Sequence, residues 1–209
     1  VNIYKYNNYF NTNVKRKSTS TKFLKLSDYE WIIELVPILL LTLFVTGIMT
    51  LLQSILPLDL ANGGVVRPSL AEQRVATLVA IKLILLAIFQ WPVGYILRNQ
   101  CSSNKFRLCL ISIFIGFIFL LLSNFLLYGY ILVIIAFIPL TIAICIFLPS
   151  ASDAIIKSAP IKYRGSAIAL YSQCFGISNL TIPLIVGKLF DYYNSAFQVW
   201  LILSLVCIL

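Results

Sequence analysis

Long apolar runs, broken at intervals by short polar or basic stretches, set the pattern of this chain. A hydrocarbon core about 30 Å thick takes roughly 20 helical residues at about 1.5 Å each. Five runs reach that length, at 35–56, 75–97, 108–127, 130–149 and 167–189. A sixth begins at 196 and reaches only to 209, so an incomplete sixth span and a gene product continuing past Leu209 are expected. The predicted fold is an all-α integral membrane protein with a six-span domain over 32–209. Residues 1–31, rich in Asn, Lys, Ser, Thr and Tyr and without apolar periodicity, are predicted to be a disordered basic tail.

Composition sharpens this picture. Hydrophobic residues make up 60% of the chain and charged residues 11%, with a mean hydropathy of +0.96. Soluble domains carry about 25% charged residues, so a water-exposed globular surface is excluded. Without His, and with 7 acidic residues, the chain holds little material for acid–base catalysis. Asp153 and Asp191 stand singly on opposite sides of the expected bilayer, and no enzyme is predicted. The five cysteines show no C-x-x-C spacing, so neither a disulfide framework nor a metal site follows. No cofactor is expected.

The net charge of +9 reads as topology. Six Lys and Arg lie in the tail, three in 98–107 and three in 157–164, twelve on one side; Arg67, Arg74 and Lys188 make three on the other. This count predicts a multi-pass protein of the plasma (inner) membrane with its amino terminus in the cytoplasm and 58–74 outside. The Lys15-Arg16-Lys17 cluster reads as an anchor near anionic headgroups. It lacks interleaved aromatic residues, and no nucleic acid is expected as a partner.

Within the spans, polar positions mark candidate chemistry. Thr42, Thr46, Thr50 and Gln53 recur every three or four residues and share one helix face. Such a face packs against a helix or lines a cavity, and Gln53 is the informative member, because an unpaired carboxamide in hydrocarbon is costly. In the fifth span Gly165, Ala169, Ser172, Gly176, Asn179, Pro183 and Gly187 form a small-residue stripe. The stripe predicts a close helix-packing seam, so that Gly176→Leu is expected to cost more than Gly116→Leu. Asn179 is the exception: with Gln53 it is expected to line a cavity across which the first and fifth spans face each other. Lys82, the one charge well inside a complete span, either snorkels or pairs with Glu72, or serves substrate or coupling.

Three stretches carry a family resemblance. They are GIMTLLQSILPLDLANGG (47–64), PVGYILRNQCSSNKFR (92–107) and PSASDAIIKSAPIKYRGSAIALYSQCFGISNLTIPLIVGKLFD (149–191). Together they resemble the opening helix, the glycine-led basic loop and the Arg-Gly small-residue helix of the major facilitator superfamily. Gly94, Arg98, Lys105, Arg107 and Arg164 stand in the loop positions. The pattern departs from the family where Arg98 replaces an acidic residue, and in a fourth span without charge. The resemblance implies a six-helix half of a secondary transporter, a permease for a small solute in the lipid bilayer, completed by a second half or by a homodimer partner. Its substrate-lining candidates are Thr46, Thr50, Gln53, Lys82 and Asn179. The rival readings are a non-transporting membrane anchor or assembly protein and an inactive truncated transporter.

Overall fold

A chain in hydrocarbon must satisfy its backbone N–H and C=O groups internally, so each apolar run becomes a helix. A computed structural model describes residues 30–98, 100–193 and 197–207. Among these, α1 spans Glu30–Asn62, α2 Glu72–Ile96, α3 Ser102–Ser123, α4 Gly129–Ser158, α5 Arg164–Tyr193 and α6 Phe197–Val206. A 3-10 turn, Ile161–Tyr163, leads into α5. The first five helices are long and apolar enough to cross a bilayer. At ten residues, α6 extends only about 15 Å and is too short to cross. All but the last two residues of the expected tail lie outside the described residues.

The helices overrun the apolar runs at most ends, because a helix continues into the interfacial layer until a turn residue stops it. The largest shortfall is in the third run, predicted to reach 127, whereas α3 stops at Ser123. There the Asn124 side chain donates to the Leu120 carbonyl at 3.0 Å, and the Asn124 carbonyl accepts the Val66 N–H at 2.8 Å. These bonds tie the α3–α4 turn to the α1–α2 loop, whose own turn needs Gly63 at φ +89°.

The core lies where α3 packs on α4. A Cβ on Gly116 would overlap the Leu140 side chain, so the glycine lets the two backbones come close. Phe117, Phe137, Leu120 and Val133 are fully buried at this contact, and Trp200 of α6 packs on Phe117 with ring centroids 6.1 Å apart. Leu51, Leu52, Leu56 and Leu60 of α1 complete the same core. A smaller cluster, Leu35, Ile155, Ala159 and Ala167, joins α1, α4 and α5 at the opposite end, where Trp31 stacks on Tyr163. The faces turned away from the core are apolar on α3, with Ile111, Ile115, Ile118 and Leu122 exposed.

The predicted packing seam of α5 is corrected by the structure. Gly165, Ser172 and Gly176 are exposed, Pro183 and Gly187 are half-buried, and a Cβ on Gly165, Gly176 or Gly187 would meet open space. Helix packing uses a second stripe, Ala167, Cys174, Ser178, Val186 and Phe190, all buried. Gly176 and Ser178 are two residues apart, or about 200° around the helix. The expected ranking of Gly176 over Gly116 as the tight position is therefore reversed.

Candidate functional site

The threonine stripe of α1 meets α5 directly. The hydroxyls of Thr46 and Ser178 lie 2.7 Å apart, Ser178 donates to the Leu43 carbonyl at 3.0 Å, and Thr50 donates to Asn179 Oδ1 at 2.7 Å. Between them Gly47 lets α5 approach: a Cβ there would stand 3.2 Å from the Ile182 side chain. Thr42, Thr46 and Thr50 are buried, and each also donates or can donate to a carbonyl one turn earlier. The expectation that α1 and α5 face each other across a cavity is thus corrected. They touch, because small hydroxyl residues on both helices satisfy one another without intervening water.

Asn179 nevertheless remains exposed on the flank of this contact, and so do Gln53, one turn beyond Thr50, and Ser172 and Gln173 on α5. Asn179 therefore has one interhelical bond and an open side. Pro57 supplies no N–H to the Gln53 carbonyl, which adds a free backbone acceptor to that face.

Lys82 is 5% exposed, and its Nζ donates to the Leu52 carbonyl of α1 at 3.4 Å. It neither snorkels to the surface nor pairs with Glu72, which is exposed and forms no ion pair among the described residues. The stem turns towards α1 because Val75, Leu78 and Lys82 share the buried face of α2.

A cavity of about 450 Å³ opens between α2, α4 and α5. Its polar lining consists of Gln90, Ser152 and Tyr171; the Leu148 carbonyl accepts from Ser152 Oγ at 3.0 Å and from the Tyr171 hydroxyl at 3.5 Å. Pro149 removes the N–H that would bond the Cys145 carbonyl, another group on the wall. Gln90 and Ser152 were missed by sequence reasoning. Gln90 had the same signal as Gln53, a carboxamide inside an apolar run.

A second group was missed entirely. Arg67, 2% exposed, pairs with Asp59 Oδ2 at 3.0 Å and donates to the Asp59 carbonyl at 3.1 Å and to Ser123 Oγ at 2.9 Å. Trp200 Nε1 lies 3.4 Å from the same carboxylate oxygen. One buried ion pair thereby joins the end of α1, the following loop, the end of α3 and the start of α6. In the sequence both residues looked like ordinary loop charges, since their partners lie up to 141 positions away.

The sequence model of the Major Facilitator Superfamily matches residues 22–209. The chain belongs to this family. It is accordingly a multi-pass integral membrane protein of a family of secondary transporters, not of enzymes. No curated protein and no solved structure matches the chain. Of the superfamily loop positions, the fold brings Gly94, Arg98 and Lys105 to one cavity with Asp153. Arg107 and Arg164 are exposed and do not line it.

Proposed function

We propose that this superfamily member is one six-helix half of a solute permease, working by alternating access with a second bundle. The observation that carries the reading is the row of polar side chains left exposed within two spans, Gln53 on α1 and Ser172, Gln173 and Asn179 on α5. Lipid cannot solvate them, so that face meets water or another protein surface, whereas α3 presents isoleucine and leucine. Gln53 and Asn179 donate and accept hydrogen bonds without carrying charge. This suits recognition of a small polar solute, which would continue into the cavity lined by Gln90, Ser152 and Tyr171. Thr50 holds Asn179 from behind, Thr46 bonds the adjacent Ser178, and Lys82 supplies a positive charge near the α1 backbone. The distribution of Lys and Arg supports an amino terminus in the cytoplasm.

Cysteine accessibility tests both parts. With the native cysteines replaced, cysteines at Gln53, Gln173 and Asn179 should react with a water-soluble thiol reagent at least about tenfold faster than one at Ile118, because a thiol in hydrocarbon does not form the reactive thiolate. Equal rates would favour the anchor reading. In intact cells an impermeant reagent should reach a cysteine at Asn62 and miss one at Ser103; the opposite result would invert the topology.

A further inference from the structure

The end of the bundle that carries the α2–α3 loop holds a second cavity, of about 240 Å³, with Arg98, Lys105 and Asp153 at its polar rim. Two cations and one carboxylate do not neutralise each other there. Asp153 Oδ2 is engaged by Lys157 at 2.6 Å, one turn further along α4. Among the described residues no ion pair joins Arg98 or Lys105 to a carboxylate. Lys105 stands in the first turn of α3, a helix whose N-cap, Cys101, makes no side-chain cap bond. The amino-terminal end of α3 therefore adds partial positive charge near Lys105. The remainder of the cavity is mostly apolar, with walls formed by Val93, Leu97, Cys145, Ile146 and Pro149 beside the hydroxyl of Ser150. Trp91 and Tyr95, stacked and more than 70% exposed on α2 just before the cavity, mark the level of the lipid headgroups.

A basic rim above an apolar wall at headgroup depth is the shape of a lipid site. We infer that this cavity binds the phosphate of an anionic membrane phospholipid between Arg98 and Lys105, with the start of an acyl chain against Val93, Leu97 and Ile146. A phosphate oxygen accepts hydrogen bonds from both side chains and so supplies the counter-charge that Asp153, held by Lys157, does not. The inference is tested apart from the transport reading, since it needs no solute, although this cavity shares Gly94, Cys145 and Pro149 with the one lined by Gln90, Ser152 and Tyr171.

The test uses the purified full-length chain in detergent micelles doped with phosphatidylglycerol or with phosphatidylcholine. Lipid retained through gel filtration is counted by mass spectrometry. Wild type and R107Q, whose lost charge lies outside the cavity, should retain phosphatidylglycerol and little phosphatidylcholine. R98Q/K105Q should retain at least about tenfold less phosphatidylglycerol, each basic residue near anionic headgroups being worth roughly fivefold. R98K/K105R, which keeps the charge, should restore retention and so separate lost binding from lost folding. Equal retention by wild type and R98Q/K105Q, or equal retention of the two lipids by wild type, would overturn the site. A third arm adds inorganic phosphate without lipid and follows the melting midpoint. No rise is expected, because the apolar wall stays unfilled; a rise matching that given by phosphatidylglycerol would overturn the lipid as the source of the phosphate.

Discussion

The α3–α4 side of the bundle and the α2–α5 side hold their buried cations differently. On the first, Gly116 meets Leu140 and Arg67 makes three side-chain bonds, two of them to Asp59. On the second, Lys82 is also buried but has one carbonyl acceptor at 3.4 Å, and the glycines of α5 border open space. A cation tied to a carboxylate and a hydroxyl holds the ends of three helices in register. A cation against one backbone carbonyl holds little. The contrast separates a tied cation from a loosely held one within a single chain.

The largest effect should come from cutting the tied cation. Arg67→Ala leaves the Asp59 carboxylate buried without a counter-ion, a loss of about 3–5 kcal/mol. The monodisperse folded fraction in detergent should collapse. Pairing Arg67→Met with Asp59→Asn should recover part of it; no recovery would mean that shape, and not charge, makes the knot.

Next comes the close approach of α3 and α4. Gly116→Leu forces Leu140 aside and should cost about 1–3 kcal/mol, read as a lower melting midpoint. Gly176→Leu, by contrast, should stay within about 0.5 kcal/mol. If Gly176→Leu lowers the midpoint as much, α5 is packed on a partner surface in the purified state, and the division into two sides fails.

A small shift of the opposite sign is expected at Lys82. Lys82→Met removes a buried cation that has no carboxylate partner, so the melting midpoint should hold or rise by the equivalent of up to about 1 kcal/mol. A fall comparable with that of Arg67→Ala would show that Lys82 is as structural as Arg67.

Much of the fold was legible in the chain. Five of the predicted spans coincide with helices long enough to cross a bilayer, because length and apolarity alone set that requirement. Span ends were less legible: α3 stops at Ser123 because the Asn124 carbonyl is claimed by the backbone of the α1–α2 loop. At the candidate site, packing of the threonine face against a helix was one of two readings left open by the sequence; that the helix is α5, through Ser178 and Asn179, was not legible. Gln90 was overlooked although its signal was present. Asp59 and Arg67 offered none, since charges beside a turn are ordinarily solvated, and only the arrival of Ser123 and Trp200 turns them into a buried group.

By itself the sequence determined that the chain crosses a membrane several times as helices, and which stripes of small and polar residues each helix carries. The tertiary structure alone decided which stripe turns inward. In water the apolar side of a helix must be the buried one, but both stripes of α5 carry small and polar residues, so hydropathy gives no preference between the Gly176 stripe and the Ser178 stripe. The choice falls to close contact and to hydrogen bonds with residues distant in the chain, Leu43, Thr46 and Thr50 among them, and these exist only once α1 and α5 lie side by side.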